Sequence, residues 1–257
     1  MSKTLEKIKG EDLVPMDLFL DDFPIEIELA YACDAAPNIF GTIYKSEGKL
    51  ILHKDLTKTS LLAARLIHEK HGLHVRFYDG LRTTDAQAKM SEAPIVKNNP
   101  HWLEEPNRLL SPPGAGGHPR GMAVDATLQD ENGELLDMGT VFDHLAENPE
   151  RDFNPAHRHY PHTSRAEEKN RNILEDAFAD AAKLLKLEIH PLPQEWWDFR
   201  MPAYIYEEFE PLSDSDLPPM YQMTEPASDT NIPNPTEEQL QALKAQIIEE
   251  INQASST

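Results

Sequence analysis

Hydrophobic and polar residues alternate with a period of two in three stretches of the chain, and this pattern predicts β-strands. The three stretches are residues 25–31, 73–78 and 122–128. In the last of them Asp125 lies on a small, polar face, and the opposite face is apolar. Shorter extended segments are predicted at residues 40–44, 50–53 and 195–198.

Helical spacing of apolar residues dominates two other stretches. The first begins near Asp55 and stops at Gly72. The second begins at Ser164, which forms a capping-box pattern with Glu167. A short final helix is predicted after Asn234 as its N-cap. Its narrow apolar stripe either packs on the protein's own core or contacts a partner or a second copy; the stripe consists of Leu240, Leu243, Ile247 and Ile251.

These patterns divide the chain into four parts. Residues 1–20 are expected to form a polar N-terminal arm, and residues 21–210 the main folded domain. Residues 211–234 are rich in proline and are expected to be a linker, because they cannot bury enough apolar surface to fold alone. Residues 235–257 are expected to form the amphipathic C-terminal helix and a tail.

The amino-acid composition argues against several classes of function. The 257 residues include 45 Asp and Glu against 24 Lys and Arg, a net charge of −21. This balance argues against nucleic-acid binding and against anionic membrane surfaces. No apolar run approaches the roughly 20 residues that span a bilayer. The single Cys33 excludes a disulfide framework and a cysteine-rich zinc site. Together with an N-terminus that lacks a secretory signal pattern, this leads us to expect a cytoplasmic protein.

His118 and Asp125 are the first candidates for chemistry. Imidazole and carboxylate groups at such spacing can bind a divalent metal. Residues seven apart on one continuous strand face opposite sides, but Pro119 and Gly121 provide a bend that can bring the two together. The alternative is a surface turn followed by an ordinary strand.

A second candidate is the string from Glu195 to Asp198, in which two acids flank two tryptophans. A carboxylate in a partly dry site against indole has a raised pKa, which suits a general acid or base. Both acids serve one site only if Glu195 lies on a bend; otherwise the string is a core tryptophan pair with solvated acids. Arg82, after the Asp79-Gly80 turn, is placed to bind a carboxylate or an oxyanion, or is simply a surface residue.

Taken together and in this order, the motifs resemble those of the VanX-type D-alanyl-D-alanine dipeptidases of the zinc-dependent M15 peptidases. The resemblance covers about residues 25–205. It is carried by Tyr78-Asp-Gly-Leu-Arg82, by His118-x-x-Gly-x-Ala-Val-Asp125, by Met138-Gly-Thr-x-Phe-Asp143 and by Glu195-Trp-Trp.

The resemblance implies a single compact α+β domain with a central antiparallel sheet flanked by helices, as in the hedgehog signalling domain. It implies one zinc ion held by His118, Asp125 and Asp198. It further implies Glu195 as the general base and acid and Arg82 as the group that stabilises the transition state. Gly116 and Trp197 would contact a small peptide substrate, a D-Ala-D-Ala-like dipeptide from cell-wall metabolism.

The sequence departs from the family at three points. Asp198 stands where the family supplies a histidine ligand, so the metal centre is more negative; a different metal, slower turnover or lost activity would follow. If Asp198 is a poor ligand, His157, His159, His162 or His190 is the natural substitute. Gly116 stands where serine is common, and the C-terminal region lies outside the resemblance. Two alternatives therefore stay open: a non-catalytic metal-binding recognition or sensor module, and an endopeptidase or carboxypeptidase acting on peptidoglycan stem peptides.

Overall fold

The computed structural model describes residues 5–105 and 108–256. Residues 1–4 of the expected arm and the terminal Thr257 lie outside the described residues. The strands are β1 (Leu13–Pro15), β2 (Ile25–Ile27), β3 (Ile51–His53), β4 (His74–Asp79), β5 (Ala123–Gln129) and β6 (Asp198–Arg200). The α-helices are α1 (Lys54–His71), α2 (Thr84–Ser91), α3 (Pro94–Asn98), α4 (Arg165–Leu185), α5 (Ala203–Tyr206) and α6 (Glu237–Ser255).

The central sheet has four strands in the order β2-β4-β5-β6. The pairs β4–β5 and β5–β6 are antiparallel, whereas β2 and β4 are parallel. The parallel pair arises because the chain returns from β2 through α1, and such a crossover starts the next strand at the same end of the sheet. The protein therefore has the expected α+β fold, with a mixed rather than a purely antiparallel sheet.

Helices α1 and α4 pack on each other and cover the sheet. Two predicted end signals are present: Gly72 closes α1 in the left-handed conformation at φ 70°, and Ser164 and Glu167 form the capping box of α4. Phe178 of α4 stacks on Phe199 of β6 at 4.0 Å between ring centroids. This contact fixes the strand that carries Asp198.

The two terminal regions pack against this core. In the expected arm, β1 pairs with β3, and Met16 and Phe19 are buried. In the proline-rich segment the buried carboxylate of Asp214 accepts hydrogen bonds from the backbone N–H groups of Met223 and Thr224. The segment therefore has a defined place on the domain.

Helix α6 lies against α1 and α4 and buries Leu240, Ile247 and Ile251 within the chain. Its N-cap is Thr236, which forms a capping box with Gln239, and not Asn234 as the sequence suggested. Asn234 instead accepts a hydrogen bond from the backbone N–H of Met220. Among the described residues, no helix has the length and apolarity needed to cross a membrane.

Candidate metal centre and active site

Three aspartates lie side by side across the sheet. Asp79 ends β4 and pairs in register with Asp125 of β5, which in turn pairs with Asp198 of β6. All three are buried. Like charges directly opposite one another on adjacent strands are destabilising, so this row needs positive partners.

The two outer aspartates have arginine partners. Asp79 Oδ2 accepts from Arg82 Nε at 2.9 Å and Nη2 at 2.7 Å, and its Oδ1 accepts from the Tyr44 hydroxyl. Asp198 accepts from Arg200 through both oxygens: Nε reaches Oδ1 at 2.6 Å, and Nη2 binds Oδ2. Burial alone would raise the pKa of Asp198, but Arg200 and the nearby histidine lower it well below its usual range.

The middle aspartate has no such partner. Asp125 Oδ1 is buried without a hydrogen-bond partner among the described residues, and its nearest positive neighbours are His118 Nε2 at 3.6 Å and, from Oδ2, Arg82 Nη2 at 3.8 Å. Burial raises the pKa of Asp125, and His118 opposes that rise. A buried carboxylate oxygen with no donor indicates a position that a cation fills.

His118 reaches this row because a turn precedes β5. Residues His118–Arg120 form a short 3-10 helix, and Gly121 closes it at φ 63°, so the chain changes direction before Asp125. His118 Nδ1 lies 2.8 Å from the carbonyl oxygen of Gly80, which assigns a proton to Nδ1; Nε2 faces the aspartates and can bind a metal once it has lost its own proton. Burial lowers the pKa of His118, but Asp125 and Asp198 outweigh that effect and raise it to about 10.

These atoms fit a metal ion. His118 Nε2 lies 3.3 Å from Asp198 Oδ2 and 3.6 Å from Asp125 Oδ1. Ligand atoms around tetrahedral zinc are about 3.3–3.5 Å apart, as zinc–ligand bonds of about 2.0–2.1 Å require. Among the described residues, the group of three whose ligand atoms all lie within 4.8 Å of one another is Asp79, His118 and Asp125, and it does not include Asp198. Asp79 is nearest to His118 at Nδ1, 3.5 Å away, whereas Asp125 and Asp198 are nearest to Nε2, so Asp79 suits a supporting position.

The row opens into a cavity of about 130 Å³. Six of the seven residues that the resemblance implies for the site line it: Arg82, Gly116, His118, Asp125, Glu195 and Trp197. The seventh, Asp198, contacts His118 from outside this lining. Glu195 sits in a turn just before β6, so it does not share the strand's alternation with Asp198. Burial and the charge of Asp198 raise the pKa of Glu195 to about 8.

Sequence reasoning did not assign roles to two cavity residues. Asp143 has a positive φ of 60° and accepts a hydrogen bond from the Tyr31 hydroxyl at 2.6 Å. Burial raises the pKa of Asp143 to about 7. Arg200 follows Asp198 by two positions, and residues two apart in a strand lie on the same face. This spacing could have predicted that Arg200 belongs to the site.

The histidines considered as substitute ligands have other contacts. The His157 Nδ1 atom accepts from the backbone N–H of His159 at 3.1 Å. The exposed His190 lies 3.7 Å from Glu188.

A buried carboxylate row with one histidine, one uncommitted glutamate and two arginines around a small cavity is the kind of site that metal-dependent hydrolases use.

Comparison with known proteins agrees. A family model for peptidase M15, described as D-ala-D-ala dipeptidase, matches residues 9–212. The D-alanyl-D-alanine dipeptidase of Escherichia coli K12 is 31% identical over 191 residues, which cover 74% of this chain and 85% of that enzyme. The chain belongs to the M15 peptidase family, whose members are metal-dependent.

Proposed function

We propose that this protein hydrolyses D-alanyl-D-alanine and similar small D-amino-acid dipeptides, with one zinc ion held by His118, Asp125 and Asp198. The observation that carries the proposal is Oδ1 of Asp125, which has no hydrogen-bond partner in the part of the chain that the structure describes. It lies between two arginine-paired aspartates and faces His118 Nε2. The similarity to the D-alanyl-D-alanine dipeptidase of E. coli supports the choice of substrate.

Asp198 is an acceptable third ligand because Arg200 neutralises it. Its carboxylate would otherwise add negative charge to the centre and weaken the Lewis acidity of the metal. The bidentate ion pair leaves the combined charge of Asp198 and Arg200 at zero, the charge of a neutral histidine. Each carboxylate oxygen has two lone pairs, so Oδ2 of Asp198 can accept a hydrogen bond from Arg200 and keep a lone pair for a metal on the side of His118.

Zinc bound at this point supplies Lewis acidity for the scissile carbonyl and for the attacking water. Glu195, with a pKa raised to about 8 in the metal-free protein, accepts the proton of that water and delivers it to the leaving amine. Arg82, held rigidly by Asp79 and packed over the ring of Tyr31, donates to the developing oxyanion.

The cavity supports a dipeptide as the substrate. Its volume of about 130 Å³ is well below the 300–1,000 Å³ of pockets that hold drug-sized ligands. Asp143, fixed by Tyr31, provides a carboxylate for the free amino group of a dipeptide. A stem-peptide endopeptidase needs an open cleft, and this small cavity argues against it.

The proposal is tested by Glu195→Gln. We expect turnover of D-Ala-D-Ala to fall by about 10²- to 10⁴-fold, the usual contribution of a general acid–base group, with zinc content unchanged. Glu188→Gln, an exposed acid in the segment leading to the same strand, is the matched control and should retain activity.

Three outcomes decide among the alternatives. Zinc bound by a wild-type protein that hydrolyses no peptide would favour the non-catalytic recognition module. Faster cleavage of stem peptides than of dipeptides would favour the endopeptidase or carboxypeptidase. Full activity of zinc-loaded Glu195→Gln would contradict the assigned role of Glu195.

Two other expectations stay predictions. One is a cytoplasmic location, based on the lone cysteine. The other is self-association through α6. Most of the apolar stripe of α6 is already buried within the chain.

A further inference from the structure

Arg200 has a part of its guanidinium that its partner Asp198 does not use. A guanidinium carries five N–H donors in a planar fork and offers two edges to carboxylates. Asp198 occupies the edge formed by Nε and Nη2. Within residues 5–105 and 108–256, the structure shows no protein acceptor for Nη1. The side chain lines the cavity and keeps 16% of its surface exposed.

Gly116 leaves space beside this free edge. A Cβ built on Gly116 would lie 3.6 Å from Arg200 Nη1, so any side chain at 116 would extend towards it. The φ of Gly116 is +80°, which favours glycine. Its carbonyl is held by Arg120 Nη1 at 2.9 Å, which fixes the loop in place.

The other arginine of the cavity, Arg82, has the oxyanion as its proposed partner and is held in place by the protein. Arg82 uses Nε and Nη2 on Asp79, uses Nη1 on Gln87, and covers the ring of Tyr31 with its face. The remaining charged groups of the cavity wall are carboxylates, Asp125, Asp143 and Glu195, beside His118. With Arg82 assigned to the oxyanion, Arg200 is the arginine of this lining that is left for a carboxylate of the substrate.

Resting on the proposed function, we propose that Arg200 binds the C-terminal carboxylate of the dipeptide through its Nη1–Nη2 edge and thereby selects substrates with a free carboxylate. One residue spans about 3.5 Å, so the carboxylate of a dipeptide must lie within that distance of the scissile bond. Arg200 contacts Asp198, which borders the proposed metal position, so its guanidinium lies on the side of the cavity next to the reacting centre. The same guanidinium joins a metal ligand to the substrate.

The test compares D-Ala-D-Ala with its C-terminal amide, D-alanyl-D-alaninamide, in the zinc-loaded enzyme. We expect the wild type to have a kcat/KM about 10- to 100-fold higher for the free acid, the size of one charge-assisted hydrogen bond. Arg200→Gln should reduce this preference to within about threefold, mainly by raising KM for the acid. Arg200→Lys, which keeps the charge but not the planar edge, should retain part of the preference.

Arg120→Gln is the matched control, because it removes a buried arginine that holds the loop of Gly116 without removing a cation that faces the cavity. It should lower both activities together and keep their ratio. Zinc content is measured for each variant, because Arg200 also pairs with Asp198. If Arg200 only held Asp198, Arg200→Gln would affect both substrates equally, and an unchanged ratio would overturn the proposal.

The wild-type measurement stands even if the variants fold poorly. Equal cleavage of acid and amide would overturn the role of Arg200 and leave the dipeptidase function intact. Cleavage of neither would instead overturn the proposed function itself.

Discussion

At the scale of single residues, the properties of the site follow from the charges of its buried aspartates and of their partners. Three aspartates occupy neighbouring positions of the sheet, and the protein supplies arginines for only the outer two. Asp125 has only the longer contacts with His118 at 3.6 Å and Arg82 at 3.8 Å among the described residues, with Glu195 nearby, so its charge is less well balanced. This imbalance disfavours the metal-free fold and, by the same interactions, favours binding of a cation.

The raised pKa of Glu195 makes a prediction for the metal-free protein. Its folded pKa is about 8, against an ordinary value of 4.5. Below about pH 4.5 both the folded and the unfolded chain carry the proton. Between these values the unfolded chain releases the proton and the folded chain keeps it, so the free energy of unfolding falls as pH rises towards 8. Glu195→Gln has no proton to lose and avoids this decrease in the free energy of unfolding. Above pH 8 it should therefore be more stable than the wild type by on the order of 2 kcal/mol, a figure that allows for the partial exposure of Glu195.

Chemical denaturation of both metal-free proteins at pH 5 to 9 measures this difference. It should grow with pH and level off above pH 8. Glu188→Gln, at an exposed position, should give a flat difference over the same range. A constant difference between wild type and Glu195→Gln would show that burial does not hold the proton on Glu195.

At the scale of elements, the site depends on irregular backbone at the ends of regular strands. A 3-10 turn presents His118, and a turn before β6 presents Glu195. The turn after β4 places Gly80 so close to β3 that a Cβ would lie 2.7 Å from the carbonyl of Ile51. Strands supply the row of aspartates, and turns bring the groups that complement it.

Gly121 tests this dependence on turns. Its φ of 63° is unfavourable for other residues, and an added Cβ would lie 3.1 Å from the His53 backbone nitrogen. We expect Gly121→Ala to lower the free energy of unfolding by about 1–3 kcal/mol and to weaken zinc binding, because His118 shifts with the turn. Gly133→Ala is the control: Gly133 has a φ of 82° with nothing within 4 Å of an added Cβ, so it should lose stability but keep zinc affinity. Equal zinc affinity in all three proteins, measured by competition with a chelator, would count against the role of the turn.

The elements that were predictable from the sequence are those with local causes. The capping box at Ser164 and the left-handed Gly72 depend on neighbouring residues, and both are observed. The N-cap of α6 was mispredicted because Asn234 and Thr236 are both good caps, and Asn234 is engaged by Met220 from outside the helix. The parallel β2–β4 pair and the ion pair of Arg200 with Asp198 follow from tertiary packing and from strand register, which periodicity alone does not fix.

At the scale of the whole molecule, the described chain continues beyond the family match, which ends at residue 212. This C-terminal extension, residues 213–256, is joined to the rest by polar as well as apolar contacts. Lys58 of α1 binds Glu250 at 2.8 Å, and Asp214 N–H donates to Asp85 of α2 at 2.7 Å. Because α2 directly follows the turn that carries Arg82, the extension is connected to the wall of the active site.

We therefore expect the extension and the catalytic domain to unfold as one cooperative unit. Ile251 of α6 is fully buried, and Ile251→Ala should lower the free energy of unfolding of the whole molecule by about 2–4 kcal/mol through the cavity it leaves. Ile232→Ala is the matched control, because Ile232 lies in the same extension but is 40% exposed, and its loss should change stability by less than about 0.5 kcal/mol. Thermal unfolding followed by circular dichroism and, in parallel, by zinc release should show one transition that shifts to lower temperature in Ile251→Ala with both probes. Two separate transitions, with zinc release unshifted, would mean that α6 melts on its own and that the active site does not depend on the extension.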